Sequence, residues 1–353
     1  MKKITLWGTY DNNNYDIRNL TKGLKDLNYE INEINNNVWN ENDKSVLSKT
    51  ALVLKIIKII CCYPALLIKY LKIVKKKQIT IISYPGWLDV LLIYLFAKVK
   101  KNKIYFFIFI SLYDTVVLDR KITSNRIICK LIFLFEQLSY KLCDRIYVDT
   151  EAHKKYLHEL FLIEKRKIFV SYQGISAEFL KYKKHKKKNQ VLYFGKFIPL
   201  HGVKELISVI NKCPKKINWV FVGEGPDKKY LDKFIEENRN IKIKTIRWLN
   251  IDELKKIINE SKYILGIFGK TSKANNVIPL KIFMSLKSKG WIITKKTDAI
   301  NEINFSNLIK INNIDDLPKV LLKSKIQSNL ITMNGKLSFK DKAKEFIKNI
   351  DKC

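Results

Sequence analysis

Short runs that are apolar at nearly every position alternate with longer stretches whose apolar residues recur at helical spacing. In the first half, Lys2–Gly8, Tyr29–Ile34, Ile79–Ser83, Ile104–Ile110, Arg145–Asp149 and Ile168–Tyr172 read as strands. Asp16–Leu27, Leu88–Lys98, Arg126–Leu142 and Glu151–Leu160 read as the helices between them. Strands this apolar, separated by helices, belong to a parallel sheet covered on both faces. The pattern stops at Lys181–Asn189, KYKKHKKKN, which is densely cationic with no apolar period and reads as a linker. It restarts with strands at Val191–Gly195, Trp219–Gly223, Ile241–Ile246, Tyr263–Phe268, Trp291–Thr294 and Leu308–Ile311. Helices are expected over Val203–Ile210, Asp227–Glu237, Asp252–Asn259 and Leu280–Lys287, with a last amphipathic one over Lys336–Ile350. The expected architecture is α/β, two doubly wound, Rossmann-like domains facing across a cleft. The boundaries fall at 1–180, a basic linker at 181–189, 190–335, and a closing helix at 336–353 that packs back toward the first domain.

The stretch Ala51–Val74 needs a separate decision. Its longest uncharged run, Ile59–Ile68, is 10 residues long and is interrupted by Pro64; a spanning helix needs about 20. At roughly 100° per residue, Lys55, Lys58, Lys69 and Lys72 share an arc of about 100°. Arg126, Lys130 and Lys141 make a similar stripe on a later helix. Two readings stand side by side: basic, greasy helices that lie on an anionic membrane surface, or helices that cap the first sheet and solvate their lysines.

Composition sharpens some of this. The formal charge is +34, from 67 basic and 33 acidic residues among 353. Such a balance suits a polyanionic partner, although abundant Lys, Ile and Asn also signal an AT-rich genome, which accounts for about half of the effect. The six cysteines form no C-x-x-C pair and read as reduced, buried thiols. The opening MKKITLWGTYDNNN has too short an apolar run for a signal peptide and reads as a strand. A cytoplasmic protein, peripheral at the inner face of the membrane, is the expectation.

Several chemistries find no support. His153, His158, His185 and His201 are dispersed without ligand spacing, so no metal site is expected. There is no G-x-S-x-G, no phosphate loop ending in G-K-S/T, and no zinc-finger or ribonucleoprotein signature, so nucleic acid is not the expected partner. What remains is VLYFGKFIPLHGV, Val191–Val203: a strand, a turn and a helix start. Two readings stand: an ordinary strand–turn–helix with a surface lysine, or a seat for an anion such as a diphosphate, because the backbone approaches closely and unpaired N–H groups point outward. Lys196 and His201 flank it.

Four segments taken together extend this reading: GKFIPLHG (Gly195–Gly202), GEGP (Gly223–Pro226), GIFG with IPLK (Gly266–Gly269 and Ile278–Lys281), and VSYQGISAEF (Val170–Phe179). In this order and spacing the second half resembles the family-four glycosyltransferases of the GT-B fold. In the first half Gly8–Tyr10, SLYD (Ser111–Asp114) and CDRIYVDT (Cys143–Thr150) with His153 are similar to a subgroup acting in cell-surface glycan assembly. The resemblance implies that Lys196 and His201 supply the two cations facing the donor diphosphate, with Gly195 and Gly202 shaping the turn and Gly223, Glu224 and Gly225 beside it. His201 would help if protonated, which a nearby diphosphate favours, or as a neutral hydrogen-bond donor. The family's E-x7-E pair, which holds the donor sugar and ribose, falls on Asn276 and Met284. Losing a charge-assisted hydrogen bond there removes roughly 1.5–3 kcal/mol, about ten- to a hundredfold. Lys281, on the same helix start, is either a further cation for the phosphates or a solvated helix lysine. Base recognition is expected from backbone groups around Ile246–Leu249, Trp248 included. On the acceptor side Asp114 is a catalytic candidate beside the alternative of a capping residue, Gly8 and Thr9 should line the cleft, and His153 reads as a helix-surface residue.

The resemblance therefore implies a retaining glycosyltransferase that needs no metal and no cofactor beyond its substrate. It would move a sugar, as a hexosyltransferase does, from a nucleotide diphosphate-sugar donor to a glycan or lipid-linked acceptor in polysaccharide or glycoconjugate synthesis. The alternative is a catalytically weakened GT-B scaffold that binds nucleotide sugar or a partner glycosyltransferase.

Overall fold

The computed structural model describes residues 3–12, 15–38, 49–119, 121–175, 179, 185–322 and 338–351. The chain forms two compact units, Met1–Gly174 with Leu337–Cys353, and Ile175–Lys336.

In the first unit the order is β1 (Lys3–Gly8), α1 (Tyr15–Lys25), β2 (Glu30–Asn35), α2 (Lys49–Ile73), β3 (Ile79–Ser83), α3 (Trp87–Val99) and β4 (Lys103–Phe107). A π-helical turn (Asp114–Asp119), α4 (Arg126–Leu142), β5 (Arg145–Val148), α5 (Glu151–Phe161) and β6 (Ile168–Val170) follow. All six strands are parallel, in the order β2-β1-β3-β4-β5-β6. Alternation along the strands divides the core in two. Trp7, Ile104 and Phe106 point to one face with α2, α3, α4 and α5; Ile4, Leu6, Tyr105 and Phe107 point to the other. That second face is covered by α1 and by the last helix of the chain, Phe339–Asp351, whose Phe346 sits among Tyr105, Phe107 and Tyr147 at centroid distances of 5.2–6.2 Å.

The second unit runs β7 (Lys188–Phe194), α6 (Val203–Ile210), β8 (Asn218–Val222), α7 (Lys228–Glu237), β9 (Ile243–Ile246), α8 (Ile251–Glu260) and β10 (Ser261–Leu265). It continues with α9 (Ser272–Asn276), α10 (Leu280–Ser285), β11 (Trp291–Lys295), α11 (Asp298–Asn301), β12 (Leu308–Ile311) and α12 (Leu317–Leu322); the closing helix of the first unit is α13 (Phe339–Asp351). The sheet is again parallel, ordered β12-β11-β10-β7-β8-β9. Strand order reverses between β7 and β10, and in such sheets the crevice at the carboxyl ends of the reversing strands is where ligands sit. Val191, Tyr193, Leu265 and Ile293 are wholly buried, as the unbroken apolar runs require.

Three local expectations change. Pro64 does not interrupt its helix: α2 runs through it, with Pro64 exposed while Ile59, Cys62, Tyr63, Leu66 and Tyr70 form the buried stripe. Packing of that stripe outweighs the one backbone hydrogen bond a proline removes. β7 begins at Lys188, inside the expected linker, because Gln190 and Ser261 pair across the sheet at 2.8 Å and extend it; residues 181–184 of that linker and the side chain of Lys55 lie outside the described residues. Among the five described cysteines, Cys62, Cys143 and Cys213 are buried, whereas Cys61 is exposed and Cys129 half-buried. No helix among the described residues is long and apolar enough to cross a membrane.

Candidate functional site

At the switch point of the second sheet, three of the segments singled out in the sequence converge: GKFIPLHG, GEGP and GIFG with IPLK. β7 ends at Gly195, whose N–H bonds Val222 of β8 at 2.9 Å. Phe197 N–H bonds the carbonyl of Glu224 at 2.9 Å, and Asp227 N–H bonds Phe197 at 3.0 Å, so GKF and GEGP are stitched together through their backbones. On the other side Phe268 N–H reaches the carbonyl of His201 at 3.2 Å. Gly202 lies in the left-handed region, φ +75°, and a Cβ there would stand 2.5 Å from the Phe268 carbonyl carbon. A side chain at that position would drive the turn off the β10 loop.

The side chains over this junction are cationic or basic. Lys281 is buried; its Nζ donates to the Gly266 carbonyl at 3.2 Å and stands 4.2 Å from the Tyr193 ring centroid. A Cβ placed on Gly195 would meet His201 Cε1 at 3.2 Å and Lys281 Cε at 3.4 Å, so both side chains close over that glycine. Burial alone brings Lys281 down to about 7. The alternative of a solvated helix lysine is thus excluded. His201 is half-buried, but its Nδ1 is fully buried and has no partner among the described residues. Burial, then the charge of Lys281, hold its pKa well below the usual imidazole range. Of the two forms open to His201, a cation or a neutral hydrogen-bonding group, the ligand-free protein holds the neutral one. Lys196 is exposed at the rim.

Sequence reasoning missed Lys273, buried in the first turn of α9 and close enough to help depress His201, and Lys295, whose Nζ donates to the Gly269 carbonyl at 3.3 Å. Lys273 carries no motif; it is recognisable only through the loop that folds it inward.

The remaining expected residues are less unified. Glu224 is partly exposed and ion-paired with Lys228 at 3.3 Å and Arg247 at 3.9 Å. Gly223 and Gly225, both at positive φ, hold the GEGP turn against Gly195 and Phe197. Asn276, half-buried, ends α9. Met284 is half-buried one turn beyond Lys281, but it lines a small hollow with Phe179, Lys255, Ile258, Asn259 and Lys287, apart from Lys196, His201 and Lys281. Trp248, past β9, is 79% exposed.

In the first unit, Gly8 and Thr9 do not line an opening. The carboxylate of Asp89 fills the space over Gly8, accepting from Thr9 N–H at 3.0 Å, Thr9 Oγ1 at 3.2 Å and Tyr63 OH at 2.7 Å. Burial still raises Asp89 to about 6. Asp114 is buried at the start of the π-helical turn, its N–H bonded to Ser111 Oγ at 3.1 Å. The SLYD loop hangs from Glu136, which accepts from Leu112 N at 2.8 Å, Tyr113 N at 2.6 Å, Ser111 Oγ at 3.1 Å and the Tyr140 hydroxyl. His153, expected on the helix surface, is instead buried with Nδ1 at 2.9 Å from Asp149. Thr150 caps α5, its Oγ1 accepting from the His153 N–H at 2.9 Å.

No family model and no curated sequence matches the chain. Solved structures do. Anabaena HepE in complex with UDP superposes with a TM-score of 0.68 at 9% identity, covering 100% of both chains. The apo lipopolysaccharide outer core galactosyltransferase WaaB gives 0.65 at 13%, covering 100% of this chain and 99% of that one. The UDP-forming α,α-trehalose-phosphate synthase of Burkholderia vietnamiensis gives 0.57 at 10%, with 100% and 96% covered. The chain has the GT-B fold. Within a GT-B chain, the Gly195–Gly202 junction belongs to the second of the two Rossmann-like units.

Proposed function

We propose that this protein is a glycosyltransferase that moves a sugar from a nucleotide diphosphate-sugar to a hydroxyl of a glycan or lipid-linked acceptor. The observation that carries the reading is the closure of Lys281 and His201 over Gly195 at the switch point, with a buried imidazole nitrogen that has no partner among the described residues. A diphosphate oxygen supplies that partner, and the GT-B neighbours bound to UDP and to UDP-glucose support a uridine donor. As the glycosidic bond breaks, negative charge develops on the leaving diphosphate. Lys281 and Lys196, with the N–H groups of the turn, stabilise that charge most where it is greatest. Lysines meeting this charge are the basis for proposing a metal-independent reaction. The proposal extends to a retaining, hexosyl-type transfer, in which a donor phosphate oxygen takes the acceptor proton. Asp114 stays a candidate for orienting the acceptor.

Met284 favours a second reading. A thioether beside Lys255 and Ile258 accepts from a ribose hydroxyl far more weakly than a carboxylate does, a loss that a nucleotide-binding scaffold without turnover would tolerate. Incubation with a panel of UDP- and GDP-sugars, with and without cell-derived glycolipid, decides between them. Release of free nucleotide that depends on acceptor is expected; nucleotide binding without release from any donor would establish the scaffold.

A further inference from the structure

Helix α4 is built inside out. Its buried residues are Glu136, Ser139 and Tyr140, whereas Ile127, Leu131, Leu134 and Leu138 are 45–71% exposed. Their spacing of four, three and four residues makes one continuous outward stripe. The neighbouring helices do the same. On α2, Leu54, Ile57, Ile60, Ile68, Leu71 and Ile73 are exposed, and on α3, Leu95 and Val99.

These helices stand side by side on one face of the first sheet. Tyr63 of α2 bonds Asp89 of α3 at 2.7 Å, and Ser139 of α4 bonds the Trp87 carbonyl of α3 at 3.1 Å. Among the described residues, fifteen of the twenty exposed large apolar side chains lie between Leu54 and Leu138. An apolar surface so concentrated marks a binding face rather than ordinary exposure.

Charge selects the occupant. The three helices carry only two carboxylates, Asp89 and Glu136, and both are buried. Their exposed charges are all positive: Lys58, Lys69 and Lys72 on α2, Lys98 on α3, Arg126, Lys130 and Lys141 on α4. A second copy of this face would bring cation against cation across a two-fold contact. A bilayer with anionic headgroups instead accepts the leucines among its acyl chains and pairs the lysines at the headgroup level. We infer that the α2–α3–α4 face of the first unit docks flat on an anionic lipid membrane. This stands independently of sugar transfer, and its readout is binding, not turnover.

The test is cosedimentation of the full chain with vesicles of phosphatidylcholine alone or with one third phosphatidylglycerol. Partition onto the anionic vesicles should be at least about tenfold stronger. Leu131→Glu/Leu134→Glu should abolish sedimentation, and Lys69→Glu/Lys72→Glu should remove the preference for phosphatidylglycerol, both with unchanged circular dichroism and UDP affinity. Wild type that stays in the supernatant with anionic vesicles would overturn the inference. So would sedimentation undiminished in both variants, or a stable micromolar dimer that the leucine substitutions dissociate.

Discussion

Lys281 shows how burial changes what a residue can do. On a solvated helix it would be charged at any physiological pH. Enclosed by Tyr193, Phe194 and Gly266 it sits at about 7, ready to take a proton when an anion arrives. A diphosphate beside it favours the ammonium form, so binding takes up a proton wherever free Lys281 is neutral, which is above about pH 7. Affinity for a nucleotide sugar should be level below that pH and fall above it, by up to about tenfold per unit. Calorimetry at pH 8 in two buffers of different ionisation heat should register proton uptake. Lys281→Met should bind more weakly and show neither the uptake nor the slope.

Three of the residues that matter here are lone charges in apolar surroundings, and that is also why two went unread. Asp89 in GWLDVLLIYLF and Glu136 in LIFLFEQLSY each look like a single blemish on a greasy helix. Their purpose lies with partners 80 and 23–25 residues away, Thr9 for one and the Ser111–Tyr113 backbone for the other. His201 was legible by position through GKFIPLHG, but the choice between its charged and neutral forms was not, because burial first, and then Lys281 arriving from another helix, set it.

At the level of elements, strands were readable because parallel strands buried on both faces must be apolar throughout, and the turn after β7 was readable because its glycines are sterically required. The course of α2 through Pro64 was not, since packing of Tyr63, Leu66 and Tyr70 decides it. The closing helix α13 packs on α1 at a tight crossing. Gly23 faces the Phe339 carbonyl, and a Cβ there would also stand 2.9 Å from Ala343 Cβ. Gly23→Ala should therefore cost about 1–3 kcal/mol by overpacking. Thermal unfolding should shift down, and limited proteolysis should cut near the C-terminus sooner; an unchanged midpoint would mean that the crossing is looser than described.

For the whole molecule, two doubly wound units were legible from two rounds of strand–helix alternation, and their GT-B character from the resemblance carried by GKFIPLHG and its companion segments; both sheets have the parallel order that alternation requires. Partner and acceptor are less so, because +34 of net charge spreads over the entire chain and only folding sorts it into places. Around Gly195 it becomes an enclosed pair of basic side chains, the seat proposed for the donor diphosphate; on α2, α3 and α4 it becomes the polar fringe of an apolar face. The central claim is the seat. Titration calorimetry of UDP into wild-type protein and into the Lys196→Met/Lys281→Met variant tests it most directly. Two charge-assisted contacts of roughly 1.5–3 kcal/mol each should weaken binding by about a hundredfold or more, with the fold intact by circular dichroism. Equal UDP affinity in a folded double variant would contradict it.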